Sequence, residues 1–349
     1  MMMENVPRVG VILVNWRGWR DTLLSLETLF GGDYPAFDVV VVDNDSGDES
    51  VARIRSWAQG SERAVLPTEL VGRVKAVAPL GVDDCVVVTE VELDVCQPTR
   101  APLTILCAAH NSGFAAGNNL GFKYLQRLGG YDYFWLLNND AFPAPEALSH
   151  LVARGVKDPT LGQIGATLVY SGRPDTVQAF GGAIYDPKSG RAYHLGAESS
   201  LSDLGGVSES VIEKRMSYVV GASILVSNSF LSRVGLMEES YFLYFEELDW
   251  AERGKQEFGL GYARDAVVYH KAGASTQSKS RRSALAAYYL AHNRVVVTRR
   301  FFPAYLTSVV WSLAVETLSY AAKARWSEAR GFFRALRGSL WFAVDGGQS

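Results

Sequence analysis

Three apolar runs, each broken off by polar residues, limit what this chain can fold into more than any other feature. The run at 39–42 ends in Asp43, Asn44, Asp45 and Ser46, and the run at 103–108 ends in His110, Asn111, Ser112 and Gly113. The run at 133–137 ends in Asn138, Asn139 and Asp140. Continuous β-branched and aromatic runs of strand length predict strands buried on both faces, the pattern of a parallel sheet. A further run at 8–16 precedes helical spacing at Leu23, Leu24, Leu26, Leu29 and Phe30, and another helix is expected from about Phe114. Strand and helix alternating in this way predict right-handed βαβ units. The three polar clusters then share one edge, beyond the carboxyl ends of the strands, where open α/β sheets bind ligands.

Between these runs the reading is coarser. Residues 60–102 are interrupted by Pro67, Pro79, Pro98 and Pro102, and the alternation in DDCVVVTEVELDV predicts an added strand or hairpin. Gly113, Gly117 and Gly121 recur every fourth residue. That spacing lacks the closely spaced glycine pair of a dinucleotide fingerprint. It places Gly117 and Gly121 where a helix packs closely, and leaves Asn111 and Gly113 at a strand end where backbone can approach a ligand. A helix is expected after Pro145, a partly antiparallel sheet region over 162–200, and one buried strand over 219–226.

The second informative stretch is MEESYFLYFEELDWAER, at 237–253. A helix from about Phe245 puts Glu246 and Trp250 on one face, with Glu247 beside them. Asp249 and Arg253 are four apart and can pair along the helix, which lowers the proton affinity of Asp249. Carboxylates at a partly buried helix start are suited to base chemistry. His270 ends another apolar run, at 266–269; opposite Asp140 it would make an Asp/His pair suited to Mn²⁺ or Mg²⁺.

Taken in order, VILVNW, VVVVDNDSGD, NSGFAAGNNLGF, WLLNND, VVGASILV, FLYFEELDW and VVYH resemble the inverting family 2 glycosyltransferases, especially the rhamnosyltransferase-like and galactofuranosyltransferase-like branch. The resemblance covers roughly residues 8–300. It implies a GT-A type α/β fold: a mostly parallel central sheet flanked by helices, a small antiparallel sheet and a C-terminal helical extension. It makes Asp43, with Asn44, the reader of the nucleobase and 111–119, including Asn111, Gly113 and Asn118, the nucleotide-side loop. Asn138, Asn139 and Asp140 take the Asp-x-Asp position, with Asp140 the metal ligand, His270 completing the metal shell and Asn138 replacing an acid. Glu246, Glu247 and Asp249 take the Glu-Asp-x-Asp position, whose second residue is the base; here it is Glu247, one methylene longer than Asp. YYLAHNRVV resembles a Tyr-x-x-Arg-Asn element, with His292 where Arg is usual.

The implied activity is metal-dependent transfer of a sugar, rhamnose from dTDP-rhamnose first, then galactofuranose or a hexose from UDP. The acceptor would be a hydroxyl of a cell-surface glycan or a polyprenyl-linked precursor. A nucleotidyltransferase would want a Gly-rich, basic phosphate loop after the first strand, which NWRGWRDTL does not supply. A non-catalytic sugar-nucleotide-binding scaffold is the alternative from another class.

Charge is unevenly placed. From 278 to 349 there are eleven Lys/Arg against three Asp/Glu, a local +8 on a chain whose net charge is −3. The segment 301–322 is apolar enough to approach a span, but Glu316 and several Ser and Thr dilute it. We therefore expect an interfacial helix and a basic tail over 301–349 lying on a membrane surface, the alternatives being an ordinary amphipathic helix packing on the body or on a second subunit, or a true span. The transferase domain is expected over 1–300, with a nucleotide half to about 145, an acceptor half from 146 and the insertion at 60–102. No nucleic-acid-binding module accompanies the basic tail. Three cysteines without metal spacing, and an N-terminus without a signal pattern, lead us to expect a cytoplasmic protein, peripheral on the inner face of the cell membrane.

Overall fold

The computed structural model describes residues 6–77, 84–271 and 284–345. Part of the insertion, including Pro79, and the basic residues Lys279, Arg281 and Arg282 lie outside the described residues, as does the start of the N-terminal stretch. Strands β1 (Val9–Asn15), β2 (Phe37–Asp43), β3 (Cys85–Thr89), β4 (Leu103–Cys107) and β5 (Tyr133–Leu137) are parallel, in the spatial order β3-β4-β2-β1-β5. They are joined through α1 (Trp19–Phe30), α2 (Ser50–Ala58), α3 (Glu90–Val95) and α4 (Phe114–Leu128). Alternate side chains of each strand serve two cores. Val11, Leu13, Val39, Val41 and Trp135 meet α1 and α2, while Ile12, Val40, Val42 and Phe134 meet α4. Burial on both faces is why these segments read as unbroken apolar runs. Gly117 and Gly121 let α4 lie close on β1: a Cβ at either would press on Val14 or Ile12, at 2.9 and 2.7 Å.

The insertion contributes edge strand β3 and then α3, not a hairpin. Of the strand or hairpin expected there it is the strand that forms, and a reciprocal capping box of Thr89 and Glu92 starts a helix after it.

The second half follows with β6 (Ala141–Pro143), α5 (Ala147–Lys157), β7 (Leu161–Tyr170), β8 (Val177–Phe180), β9 (Gly182–Asp186), β10 (Arg191–His194), α6 (Glu209–Glu213), β11 (Tyr218–Val219), β12 (Ser223–Ser227), α7 (Asn228–Val234), α8 (Glu246–Gly254) and β13 (Gly259–His270). Strands β12, β7, β13 and β6 extend the main sheet beyond β5, and β8 joins β7. β10-β9-β11 form a small antiparallel sheet. The single strand expected over 219–226 is thus two strands in two sheets, parted by a loop at 220–222.

Three helices close the chain: α9 (Ala284–Phe301), α10 (Leu306–Ala322) and α11 (Trp326–Asp345). They share a small core of Ala287, Ala291, Val295, Val309, Leu313, Phe332 and Ala335. Residue 301 is the last of α9, so the helical extension begins before the expected tail. Among the described residues no helix is long and apolar enough to cross a membrane. All three cysteines are unpaired thiols.

Candidate active site

Asn138, Asn139 and Asp140 make the turn from β5 into β6, closed by the Ala141 N–H donating to the Asn138 carbonyl at 3.0 Å. β6 pairs with the end of β13 so that Ala141 lies opposite His270. That register brings His270 Nε2 to 3.1 Å from Asp140 Oδ1. Both side chains are buried. The other ring nitrogen, Nδ1, is 2.9 Å from Gln178 Oε1. With that oxygen accepting, the ring proton sits on Nδ1 and the Nε2 lone pair faces Asp140. Burial works to raise the Asp140 pKa; in the charged form of the ring, with a proton on Nε2 as well, His270 and then Lys271 outweigh burial and hold the carboxyl below its ordinary value. Asn138 Oδ1 is buried and has no hydrogen-bond partner. A carboxylate oxygen, an imidazole nitrogen and an orphaned amide oxygen thus belong to one turn and the strand end beside it. In the neutral ring the Nε2 lone pair faces Asp140 Oδ1, which is costly until a cation lies between them. The Asn138 amide presents Nδ2 to that nitrogen at 3.5 Å, so its oxygen joins them only with the amide turned over. The resulting donor set suits Mn²⁺ or Mg²⁺. Among the described residues no third His, Cys, Asp or Glu joins the pair, so remaining ligands would come from Asn138, substrate or water.

The carboxylate cluster is built on strained backbone. Phe242, Tyr244 and Phe245 have φ of 58°, 72° and 76°, the left-handed region that bulky residues avoid at about 1–3 kcal/mol each. Asn293, on α9, holds them: its Nδ2 donates to the carbonyls of Tyr241, Leu243 and Tyr244 at 2.8, 2.8 and 3.0 Å. The helix that follows, α8, begins with Glu246 and Glu247 pointing into the protein. Glu246 is 2 % exposed and its Oε2 has no partner. Glu247 is half-buried and receives a backbone hydrogen bond from Gly221. Burial pushes Glu247 up to about 7, and burial followed by the Glu247 charge pushes Glu246 well above the carboxylate range. Tyr218 is raised by burial and by both carboxylates, so its ring lies alongside them.

Asp249 is fully buried and spent on structure. It accepts from Tyr241 Oη at 3.0 Å, Arg253 Nε at 2.8 Å and Arg300 Nη1 at 2.7 Å. With two guanidiniums on it, it anchors α8 to α9 and has no free lone pair aimed at a reacting group.

The loop at 220–222 joins the two clusters. Its Ala222 carbonyl accepts from the Asn138 N–H at 3.0 Å, while the adjacent Gly221 holds the Glu247 carboxylate. A Cβ at Gly221 would lie on Glu247 Oε1, the movable end of that side chain, so a larger residue is accommodated only if the carboxylate shifts. Gly221→Ala is therefore expected to displace Glu247. A misplacement of about 1 Å costs roughly 10²-fold in rate. Steady-state kinetics should show kcat falling by that order with nucleotide affinity unchanged; an unaltered kcat would mean that the contact positions nothing.

The residues at the ends of β2 and β4 form a third group. Asp43 is buried and accepts from Asn15 Nδ2 at 2.8 Å and from the Ser46 hydroxyl at 2.6 Å. Asn44 Nδ2 donates to Asn111 Oδ1 and to the Gly113 carbonyl, both at 3.0 Å. Gly113 has φ 96° and no room for a side chain against the Phe242 carbonyl, which the Phe114 N–H also binds at 2.8 Å. The strand-end turn therefore touches the strained aromatic loop ahead of Glu246. Asn139 is pinned to α1 through Thr22 Oγ1 at 3.0 Å. Asn118 does not open onto this edge: it is buried in α4 and donates to the Phe114 carbonyl at 2.9 Å.

Four contributors went unread in the sequence. Asn15 is a polar strand end of the same kind as the other three. Gly221 is a glycine inside an apparent strand, a known mark of close approach. Asn293 was visible only as part of YYLAHNRVV. Gln178 has no local signal.

No family model and no curated protein matches the sequence. Solved structures do match in fold. The mannosyltransferase PcManGT from Pyrobaculum calidifontis, in complex with GDP-Man and Mn²⁺, aligns with a TM-score of 0.53 at 16% identity, over 97% of this chain and 88% of that one. S. aureus TarS 1–349, in complex with UDP-GlcNAc, aligns with a TM-score of 0.54 at 13% identity, over 95% of this chain and 80% of that one. GalNAc-T7, with UDP, GalNAc and Mn²⁺, aligns at 0.50 and 13% identity, over 76% of this chain but only 44% of that one. The chain has a GT-A fold. Its parallel half, small antiparallel sheet and C-terminal helices are those expected from the motifs.

Proposed function

We propose that this chain is an inverting glycosyltransferase that uses a nucleotide-diphosphate sugar. The single observation that carries the reading is the 220–222 loop. It ties the turn of Asn138, Asn139 and Asp140 to Glu247, so that a diphosphate-side group and a carboxylate of raised pKa belong to one site at the carboxyl edge of the sheet.

Asp140, His270 and Asn138 Oδ1 would hold a divalent cation, which when bound neutralises the charge developing on the leaving diphosphate. Gln178 keeps the His270 ring in the tautomer that presents Nε2. Asp43 and Asn44, with the turn at 111–113, form the floor for the nucleoside. Glu247 accepts the proton of the attacking acceptor hydroxyl, a role for which a pKa near 7 is well matched. Of the two raised carboxylates only Glu247 is partly accessible; Glu246 is sealed behind it. The attack is one displacement, so the anomeric configuration inverts.

The motif resemblance favours dTDP-rhamnose as donor and a glycan or lipid-linked hydroxyl as acceptor. The GDP-Man and UDP-GlcNAc bound by the two similar structures keep hexose donors in the test. The test is a panel of nucleotide sugars with Mn²⁺ or Mg²⁺, read as nucleotide diphosphate release. Release from one donor, dependent on acceptor, is expected; no release from any donor in the presence of varied glycan acceptors contradicts the proposal.

The sealed Glu246 has its own consequence. A carboxyl whose pKa is raised by folding stabilises the fold below its ordinary value of 4.5 and loses that contribution as pH rises through the folded value. Glu246→Gln is therefore expected to raise Tm at pH 8 and to leave it nearly unchanged at pH 4. Equal shifts at both pH values in a thermal melt would contradict the burial of an ionisable group there.

A further inference from the structure

Two acids of the helical extension turn inward. Glu316, on α10, bonds Arg294 at 2.9 Å and Arg191 at 3.0 Å. Glu328, on α11, is buried against Arg325 at 2.7 Å. What remains on the outside is apolar and cationic. On α10, Trp311, Val315 and Leu318 follow at i, i+4 and i+7 and are 72, 50 and 71 % exposed. That spacing makes one stripe. On the adjacent α11, Trp326, Arg330, Phe333, Arg334 and Arg337 recur at three- and four-residue steps, all exposed. None of those three arginines has a carboxylate partner among the described residues, although Arg334 also lies over the Tyr288 ring at 5.8 Å.

We infer that α10 and α11 dock this protein on an anionic lipid surface, lying in the interface and not across the bilayer. Three observations select that occupant. The exposed cations lack internal counter-charges, so they complement an anionic leaflet. Tryptophan and phenylalanine beside arginine are the side chains that seat in the headgroup layer. A second copy of the same face would bring like charges together, which argues against self-association through it. The helices also lack the length and apolarity of a span. The surface does not depend on the catalytic reading. If that reading holds as well, the docked enzyme would meet a lipid-linked acceptor at the membrane.

The test uses the full chain and sedimentation with vesicles of phosphatidylcholine, with or without phosphatidylglycerol. Binding is expected only with phosphatidylglycerol, and raised salt should weaken it. Replacing Arg330, Arg334 and Arg337 together by Gln should lower the apparent affinity about 100-fold, and Trp311→Ser with Leu318→Ser should also weaken it. Thermal melts confirm that each variant is folded. Equal binding to both vesicle types, no binding to either, or wild-type binding by the folded arginine variant would overturn the inference. So would light scattering that shows a dimer dispersed by Trp311→Ser, since the face would then belong to a second copy. Nucleotide diphosphate release with a soluble acceptor should be the same in all variants, so loss of docking and loss of catalysis are read separately.

Discussion

Glu247→Gln is expected to lower the rate of sugar transfer by roughly 10³-fold, within the range a positioned general base supplies, while leaving nucleotide-sugar affinity unchanged. The residue is the one carboxylate of its cluster that is neither sealed nor spent. Glu246 is buried behind it, and Asp249 carries two arginines. Gln keeps the shape and the Gly221 contact but cannot accept a proton. The pH profile gives an independent readout. A base must be ionised to act, and Glu247 is pushed up to about 7. Wild-type kcat/KM should therefore climb through about pH 7 to a plateau on the alkaline side, and the residual activity of the Gln variant should lack that limb. Glu247→Asp should keep part of the activity with the limb in place. Transfer by Glu247→Gln at near wild-type rate, with loss instead in Glu246→Gln, would move the base to Glu246.

Asp140→Ala is expected to abolish Mn²⁺ binding and to reduce transfer by at least about 10²-fold, the scale on which removal of one electrostatic stabiliser is felt. Among the described residues Asp140 is the only acid beside His270, and the neighbouring Asn138 amide carries no charge. Mn²⁺ binding, followed by electron paramagnetic resonance in the presence of a nucleotide diphosphate, separates a lost cation site from a lost fold. His270→Ala should weaken Mn²⁺ binding less severely, because water can occupy a vacated ligand position. Gln178→Leu should fall between wild type and His270→Ala, since it frees the ring without removing it. Full turnover by Asp140→Ala in excess chelator would dispose of the cation site.

β1, β2, β4 and β5 were legible because each is buried on both faces and stays largely apolar until its end, whereas the half-exposed edge strand β3 showed only as alternation. The same rule put Asp43, Asn111 and Asp140 on one edge of the sheet although they are far apart in the chain. The Asp140–His270 contact follows from two strand ends, but its register depends on β6, three residues long and too short to announce itself. Long-range partners were not legible. Gln178 meets His270 across 92 positions, and Asn293 reaches Leu243 across 50, with no local pattern on either side. The break at 220–222 was hidden because flanking residues of both strands are buried and apolar, so two short strands in different sheets read as one. Glu246 and Glu247 were visible as a pair. Which of them is accessible depends on the left-handed turn before them, and bulky aromatic residues give no sign of that turn.

The most direct measurement is the anomeric configuration of the product, followed by proton NMR during the first turnovers with the donor identified in the panel. One base and one displacement require the new glycosidic bond to have the configuration opposite to the donor's. A product that retains the donor's configuration would contradict the assignment of Glu247 as base in a single displacement.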